Sequence, residues 1–126
     1  WGGPIMGRDF VEGGSYLYYF TFGKHRLLHQ STGNFIEEKL KGLSPDVALL
    51  FPAHPYDLAG VLKTLNPKVL ILHHFDHHYD EQRFPFSEGI PEANIKRARG
   101  FARDVRAVDG QIKVIIPELL MTYTLE

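Results

Sequence analysis

Residues 73–78, with the sequence HHFDHH, carry four of the seven histidines of the chain and one aspartate. Neutral imidazole is a good ligand for zinc, iron or manganese, and a neighbouring carboxylate such as Asp76 can bind the metal or orient a histidine. Adjacent residues of a strand point to opposite faces, so at most one of His73 and His74 faces a site. The cluster predicts a metal site, with a metal-free loop of surface histidines as the alternative.

Two other polar segments follow apolar runs in the same way. The first is 28–34, with the sequence LHQSTGN, and the second holds His54 between two prolines. Sites in α/β proteins lie at the carboxyl ends of strands. We therefore expect Ser31 and His54 to line one cleft with His74. The alternatives are an ordinary strand-to-helix turn at 28–34 and an exposed loop histidine at position 54.

The elements that must position these residues alternate between strands and helices. Aromatic and β-branched residues around a glycine turn predict a hairpin within 15–29. Apolar periodicity and apolar runs predict helices at 35–41, 58–65 and 95–108 and strands at 46–51, 68–72 and 112–116. Residues 79–92 read as a long loop, and 119–125 as a further strand. This order predicts an α/β layer, a sheet with its helices on one face.

The three later strands are almost continuously apolar, which is typical of strands buried on both faces. The predicted helices can cover one face of the sheet, but no remaining segment is available for the other. A bare apolar sheet face is a large exposed patch that soluble monomers avoid. The sequence therefore predicts that a missing half-domain or a second copy of the chain covers this face.

The composition excludes several classes of protein. The 126 residues fit one domain or a large part of one, and a net charge of -1 gives no reason to expect nucleic acid or a membrane as partner. No apolar run is long enough to span a membrane and no signal peptide is recognisable, so we expect a cytoplasmic protein. The absence of cysteine excludes disulfides and a thiolate-bound metal and fits any redox compartment. A start at Trp1 suggests a processed chain or a fragment. The basic side of helix 95–108 is expected to be solvated.

Four segments in this order, 12–20, 26–35, 45–50 and 69–76, resemble the metallo-β-lactamase superfamily. The resemblance runs from residue 10 to the end and is closest to the branch that contains ascorbate-6-phosphate lactonase-like metallohydrolases. The superfamily fold is an αββα sandwich of two similar halves, with one or two metals at the edge between them. The resemblance implies that the whole chain, 1–126, is the second half, a βα layer with a mixed sheet.

The resemblance also implies roles for individual residues. His74 matches the last metal-binding histidine of the family, and zinc is the expected divalent ion. Ser31 stands where many members have an aspartate that bridges two metals, and a neutral serine cannot supply that charge, which argues against a second ion. The family's H-x-H-x-D-H signature is absent from these residues. It would belong to the N-terminal half.

The resulting hypothesis is a metal-dependent hydrolase of a lactone, an amide or a phosphoester, formed with the N-terminal half as a separate or cleaved chain. His29, Ser31, His54 and Asp76 are expected to line its pocket around a small-molecule substrate, and no catalytic residue is assigned. The chain alone is expected to be inactive. Two alternatives remain open: a non-catalytic structural or binding protein of the same fold, and a standalone α/β module that pairs its bare faces in a homodimer.

Overall fold

The computed structural model describes residues 17–30, 37–52, 57–75, 90–118 and 121–124, and it confirms an α/β fold with a five-stranded mixed sheet. A 3-10 helix and two α-helices accompany the strands. In chain order the elements are β1 (Leu17–Phe22), β2 (His25–Gln30), the 3-10 helix (Glu37–Leu40), β3 (Val47–Leu50), α1 (Leu58–Leu65), β4 (Val69–Leu72), α2 (Glu92–Val108) and β5 (Lys113–Ile115).

The strands follow one another across the sheet in the order β1-β2-β3-β4-β5. β1 and β2 form an antiparallel hairpin, whereas β2 to β5 are all parallel. The hairpin closes with Phe22 opposite His25, and Gly23 in the two-residue turn has a φ of 58°. Two-residue hairpin turns need positive φ angles, which glycine adopts without steric cost.

The core lies between the helices and one face of the sheet, which we name the covered face. Its central strands contribute Leu28, Ala48 and Leu70, which are aligned across β2, β3 and β4 and have no exposed surface. The helices supply their apolar sides to the same cluster, namely Leu40, Val61, Leu62, Leu65, Ala98 and Val105. Burying a leucine of this kind contributes about 1.5–3 kcal/mol relative to its exposure to water.

Alternate residues of the same strands form the opposite face, which we name the open face. On this face, Leu27 of β2 lies opposite Val47 of β3. His29 of β2 lies opposite Leu49 of β3, which in turn lies opposite Ile71 of β4. All five are half-buried. No described helix packs against them, because the helices join the cluster on the covered face. The prediction of helices on one face of the sheet is confirmed.

Several element limits differ from the sequence-based expectation. α2 begins at Glu92, within the expected loop 79–92, because Pro91 stands at its N-cap, where a missing N–H leaves no helical hydrogen bond unmade. The helix expected at 35–41 is a 3-10 helix over Glu37–Leu40 in its described part. Residues 121–124 are not in a strand.

Asp46 joins three strands at their amino ends. Its carboxylate accepts a hydrogen bond from the Arg26 backbone N–H at 2.9 Å and lies 3.6 Å from the Arg26 guanidinium and 3.7 Å from the Lys68 ammonium. Its backbone carbonyl accepts hydrogen bonds from Lys68 and Val69, both at 3.1 Å. The hydrogen bond from the Arg26 backbone, followed by the Arg26 and Lys68 charges, lowers the pKa of Asp46 below its ordinary 3.8.

We expect Asp46→Asn to lower the melting temperature at about pH 7, because the amide keeps the shape but loses the charge that favours Arg26 and Lys68. A carboxyl whose folded-state pKa is lowered stabilises the fold above its unfolded pKa, and this contribution is lost as the pH falls through the folded value. The difference in melting temperature between the two proteins should therefore shrink below about pH 4. Thermal denaturation followed by circular dichroism measures it.

The matched control is Asp104→Asn, which removes an exposed carboxylate of α2. This variant should melt at nearly the same temperature as the unaltered chain at both pH values. Equal melting temperatures for the Asp46 and Asp104 variants at neutral pH would show that the network around Asp46 contributes no stability.

Candidate functional site

The carboxyl ends of β2, β3 and β4 lie together at one edge of the sheet, since these strands are parallel neighbours. His29 is the second-last residue of β2, and His73 and His74 directly follow β4. The remaining predicted site residues, Ser31, His54 and Asp76, lie outside the described residues. The described part of the site therefore consists of three histidines and the residues that hold them.

His74 stands at the point where the chain leaves β4. The preceding residue, His73, still donates its backbone N–H to the Leu50 carbonyl at 3.2 Å, which continues the pairing of β4 with β3. His74 then adopts a left-handed conformation with a φ of 54°. A non-glycine residue in this region costs roughly 1–2 kcal/mol, although histidine adopts it more readily than a β-branched residue.

The side chain of His74 is held beside an aromatic ring. Its imidazole centroid lies 5.2 Å from that of Phe51, with an angle of 51° between the ring planes. Phe51 is buried directly after β3, whereas His74 is only half-buried. This arrangement fixes one side of the imidazole against the end of the core and leaves part of it accessible.

His29 and His73 form a second arrangement, on the open face. Their ring centroids are 4.9 Å apart with an interplanar angle of 30°, and Tyr18 of β1 lies 6.2 Å from His29 at the other side. The structure therefore places His29 beside His73, while the ring contact of His74 is with Phe51. This separation agrees with the expectation that adjacent histidines at a strand end point in different directions.

Gln30 connects the ends of β2 and β3. Its side chain is buried, and its carbonyl oxygen accepts a hydrogen bond from the Phe51 backbone N–H at 3.0 Å. This bond satisfies a backbone donor beyond the end of the β3 ladder, where an unmade hydrogen bond would cost about 1–3 kcal/mol. Gln30 thereby holds Phe51, and through it the surroundings of His74.

Sequence reasoning gave Gln30 and Phe51 no role in the site. The available signal was weak: a glutamine at the end of an otherwise apolar strand must find a hydrogen-bond partner if it is buried. For Phe51 the sequence predicts only the end of a strand. Their contribution depends on the alignment of β2 with β3, which follows from the fold and not from local sequence.

The described residues contain no group of three or more His, Cys, Asp or Glu side chains close enough to hold a metal ion. A metal bound through His74 therefore needs ligands from outside this part of the chain.

None of the helices in the described ranges is long and apolar enough to cross a membrane.

Searches against protein-family models, curated proteins and solved structures each find no match to this chain. The metallo-β-lactamase resemblance therefore remains a prediction from the sequence motifs.

We expect His74→Val to lower the melting temperature of the metal-free chain clearly below that of His74→Asn. Both substitutions remove the imidazole, but asparagine tolerates the left-handed conformation while a β-branched residue is strained there. The difference should be at least about 1 kcal/mol in the free energy of unfolding, measured by urea denaturation. Equal stabilities would mean that position 74 relaxes to an ordinary conformation without its histidine.

Proposed function

We propose that this chain is the later half of a metal-dependent hydrolase of the metallo-β-lactamase superfamily, with His74 as a metal ligand. The observation that carries the proposal is the position of His74. It is half-buried directly after β4, at the carboxyl ends of the parallel strands, and no described helix packs on the open face of their sheet. A second sheet layer packed on the open face would bring further side chains to the same edge.

The residues present fit a metal only in part. The His74 imidazole suits zinc, which takes nitrogen ligands readily, but a catalytic zinc site needs about three protein ligands. The other ligands would come from the N-terminal half, which the resemblance expects to hold the H-x-H-x-D-H signature. A bound divalent metal supplies a nucleophile from water near neutral pH and polarises the scissile group.

The residues of this chain would provide one ligand and part of the pocket. Phe51 packs against His74 and restricts its ring, while Gln30 holds Phe51 in place. His29, Ser31, His54 and Asp76 are proposed to line the pocket around the substrate. A lactone, an amide and a phosphoester all fit this chemistry as substrates. Ser31 in place of a bridging aspartate favours one ion over two.

Two observations favour other functions. Ser31 is consistent with a relative of this fold that has lost its metal and acts as a structural or binding protein. The open face is consistent with a standalone module whose two copies pair their sheets, since an apolar face of this kind needs a cover. The metal content distinguishes a metal-free structural or binding protein from a hydrolase. The mass of the native assembly distinguishes a homodimer of this chain from an assembly with an N-terminal half.

The decisive measurement is native mass spectrometry of the protein purified from its source without denaturant, with metal analysis of the same sample. We expect the 14.4 kDa chain in one assembly with an N-terminal half, carrying about one or two zinc ions. A 14.4 kDa monomer or its homodimer without metal would contradict the hydrolase proposal.

In that assembly, His74→Ala should lower the zinc content at least about tenfold, because a metal ligand is removed. The matched control is His25→Ala, which removes an exposed histidine at the first residue of β2, far along the strand from its carboxyl end. His25→Ala should leave the zinc content unchanged. Equal zinc content in both variants would exclude His74 as a ligand.

A further inference from the structure

α2 carries an excess of positive charge that the net charge of the chain does not reveal. Five of its residues are basic and only two, Glu92 and Asp104, are acidic, whereas the whole chain has a net charge of -1. The basic residues are Lys96, Arg97, Arg99, Arg103 and Arg106, and all five are exposed. Their one described ion pair, between Arg99 and Glu92 at 3.5 Å, is solvent-exposed and therefore weak.

Four of these cations line a single groove beside the last strand. The groove has a volume of about 340 Å³ and is lined by Lys96, Arg99, Ala102, Arg103, Arg106 and Ile116. A second groove of about 490 Å³ continues from it, because Arg99 and Ile116 line both. Ile90, Ile95, Pro117 and Glu118 complete the lining of the second groove. We name the two together the α2 trough.

The α2 trough lies beside the end of β5. β5 is the last strand in the sheet order, and among the described strands only β4 pairs with it. Ile116, which is shared by both grooves, directly follows β5 in the sequence. The trough therefore combines a row of cations, several apolar lining residues and the end of an edge strand. Proteins bind extended peptides on surfaces of this kind.

The spacing of the cations fits a peptide in extended conformation. From Lys96 to Arg106 the helix rises about 15 Å, at 1.5 Å per residue. Side chains on one side of an extended strand repeat every 6.8 Å or so, so three successive carboxylates span about 14 Å. The residues between them point to the other side, where apolar side chains can contact Ile116, which lines the groove opposite the cations of α2.

We propose that the α2 trough binds an extended acidic segment of a partner protein, in which carboxylates alternate with apolar residues. The carboxylates contact Lys96, Arg99, Arg103 and Arg106, and the apolar residues lie over Ile116. Glu118 lines the second groove, so the part of the partner that lies there is expected to carry no carboxylate. His74 is not among the residues that line the trough, and the proposed binding does not need a bound metal.

A peptide fits the trough better than a nucleic acid. Single-stranded nucleic acids bind through base stacking on aromatic side chains together with basic grooves, and no aromatic residue is among the described lining of the trough. The apolar residues that line the trough, such as Ile116, can contact the apolar side chains of a peptide in which carboxylates and apolar residues alternate.

The test measures fluorescence anisotropy of a labelled peptide of about eight residues that alternates glutamate and leucine. We expect saturable binding to the chain that weakens at high salt, since the contacts are exposed ion pairs. Arg103→Glu should raise the Kd at least about tenfold, through loss of attraction and new repulsion. Glutamate at position 103 lies one turn from Arg99 and Arg106, so the helix keeps favourable pairs and should remain folded.

The matched control is Arg97→Glu, which makes the same change of charge on the same helix at a residue that does not line the trough. It should change the Kd by less than about twofold. A peptide that alternates serine and leucine should not bind, and oligouridine of the same length should bind more weakly than the glutamate peptide. Absence of saturable binding, equal effects of the two variants, or tighter binding of oligouridine would each overturn the proposal.

Discussion

The order in which the parallel strands are added to the sheet is the constraint on which the rest of the structure depends. Each crossover between parallel strands of one sheet is right-handed, so its connection lies on a face set by the direction in which the next strand is added. From β2 to β5 every strand is added on the same side of the previous one. The described helices that connect these strands must therefore lie on the same face, which explains why none of them packs on the open face.

This topology also concentrates the chemistry at one edge. In a doubly wound sheet the direction of strand addition reverses, and ligands bind at the point of reversal. Here no reversal occurs among the described strands, so the fold itself marks no such crevice. What distinguishes the carboxyl edge instead is its set of polar side chains, Gln30, His29, His73 and His74, at the ends of otherwise apolar strands. Of these, His29 and His73 lie on the open face, where a second layer would meet this sheet.

The two ends of the sheet are held in different ways. At the amino ends Asp46 uses both its carboxylate and its backbone carbonyl to connect β2, β3 and β4. At the carboxyl ends Gln30 and His73 connect β2 and β4 to the end of β3 through the Phe51 N–H and the Leu50 carbonyl. Polar groups thus fix the alignment of the strands at both edges, while the apolar residues between them supply most of the stability.

The sequence was sufficient to predict the elements whose pattern is local. The runs at 46–51 and 68–72 and the periodic face of 58–65 each reappear as an element with nearly the same limits. The sequence also predicts helices on one face of the sheet, and all the described helices do pack on the covered face. The sequence-based start of this helix, at residue 95, is wrong, because α2 begins at Glu92. The prediction assigns Pro91 to a loop, although proline is well tolerated where a helix begins.

The contacts that depend on strand alignment were out of reach of sequence reasoning. The stacking of His29 on His73, and the three-strand network of Asp46, join residues far apart in the chain. The position of His74 against Phe51 likewise follows from the pairing of β3 with β4. For the candidate site, the sequence named the histidines and their edge of the sheet, but not which of them lie together.

The net charge of the chain says little about its possible partners, because it averages over surfaces that carry different charges. Five of the fourteen basic residues lie on α2, beside only two of the fifteen acidic ones. Basic residues on an amphipathic helix are usually solvated, and the periodicity of α2 alone supports that interpretation. Its flank differs because Ile116, which follows β5, lines the same groove as four of the cations. Recognition of a partner depends on the charge and shape of this one surface, which the total charge of a chain does not measure.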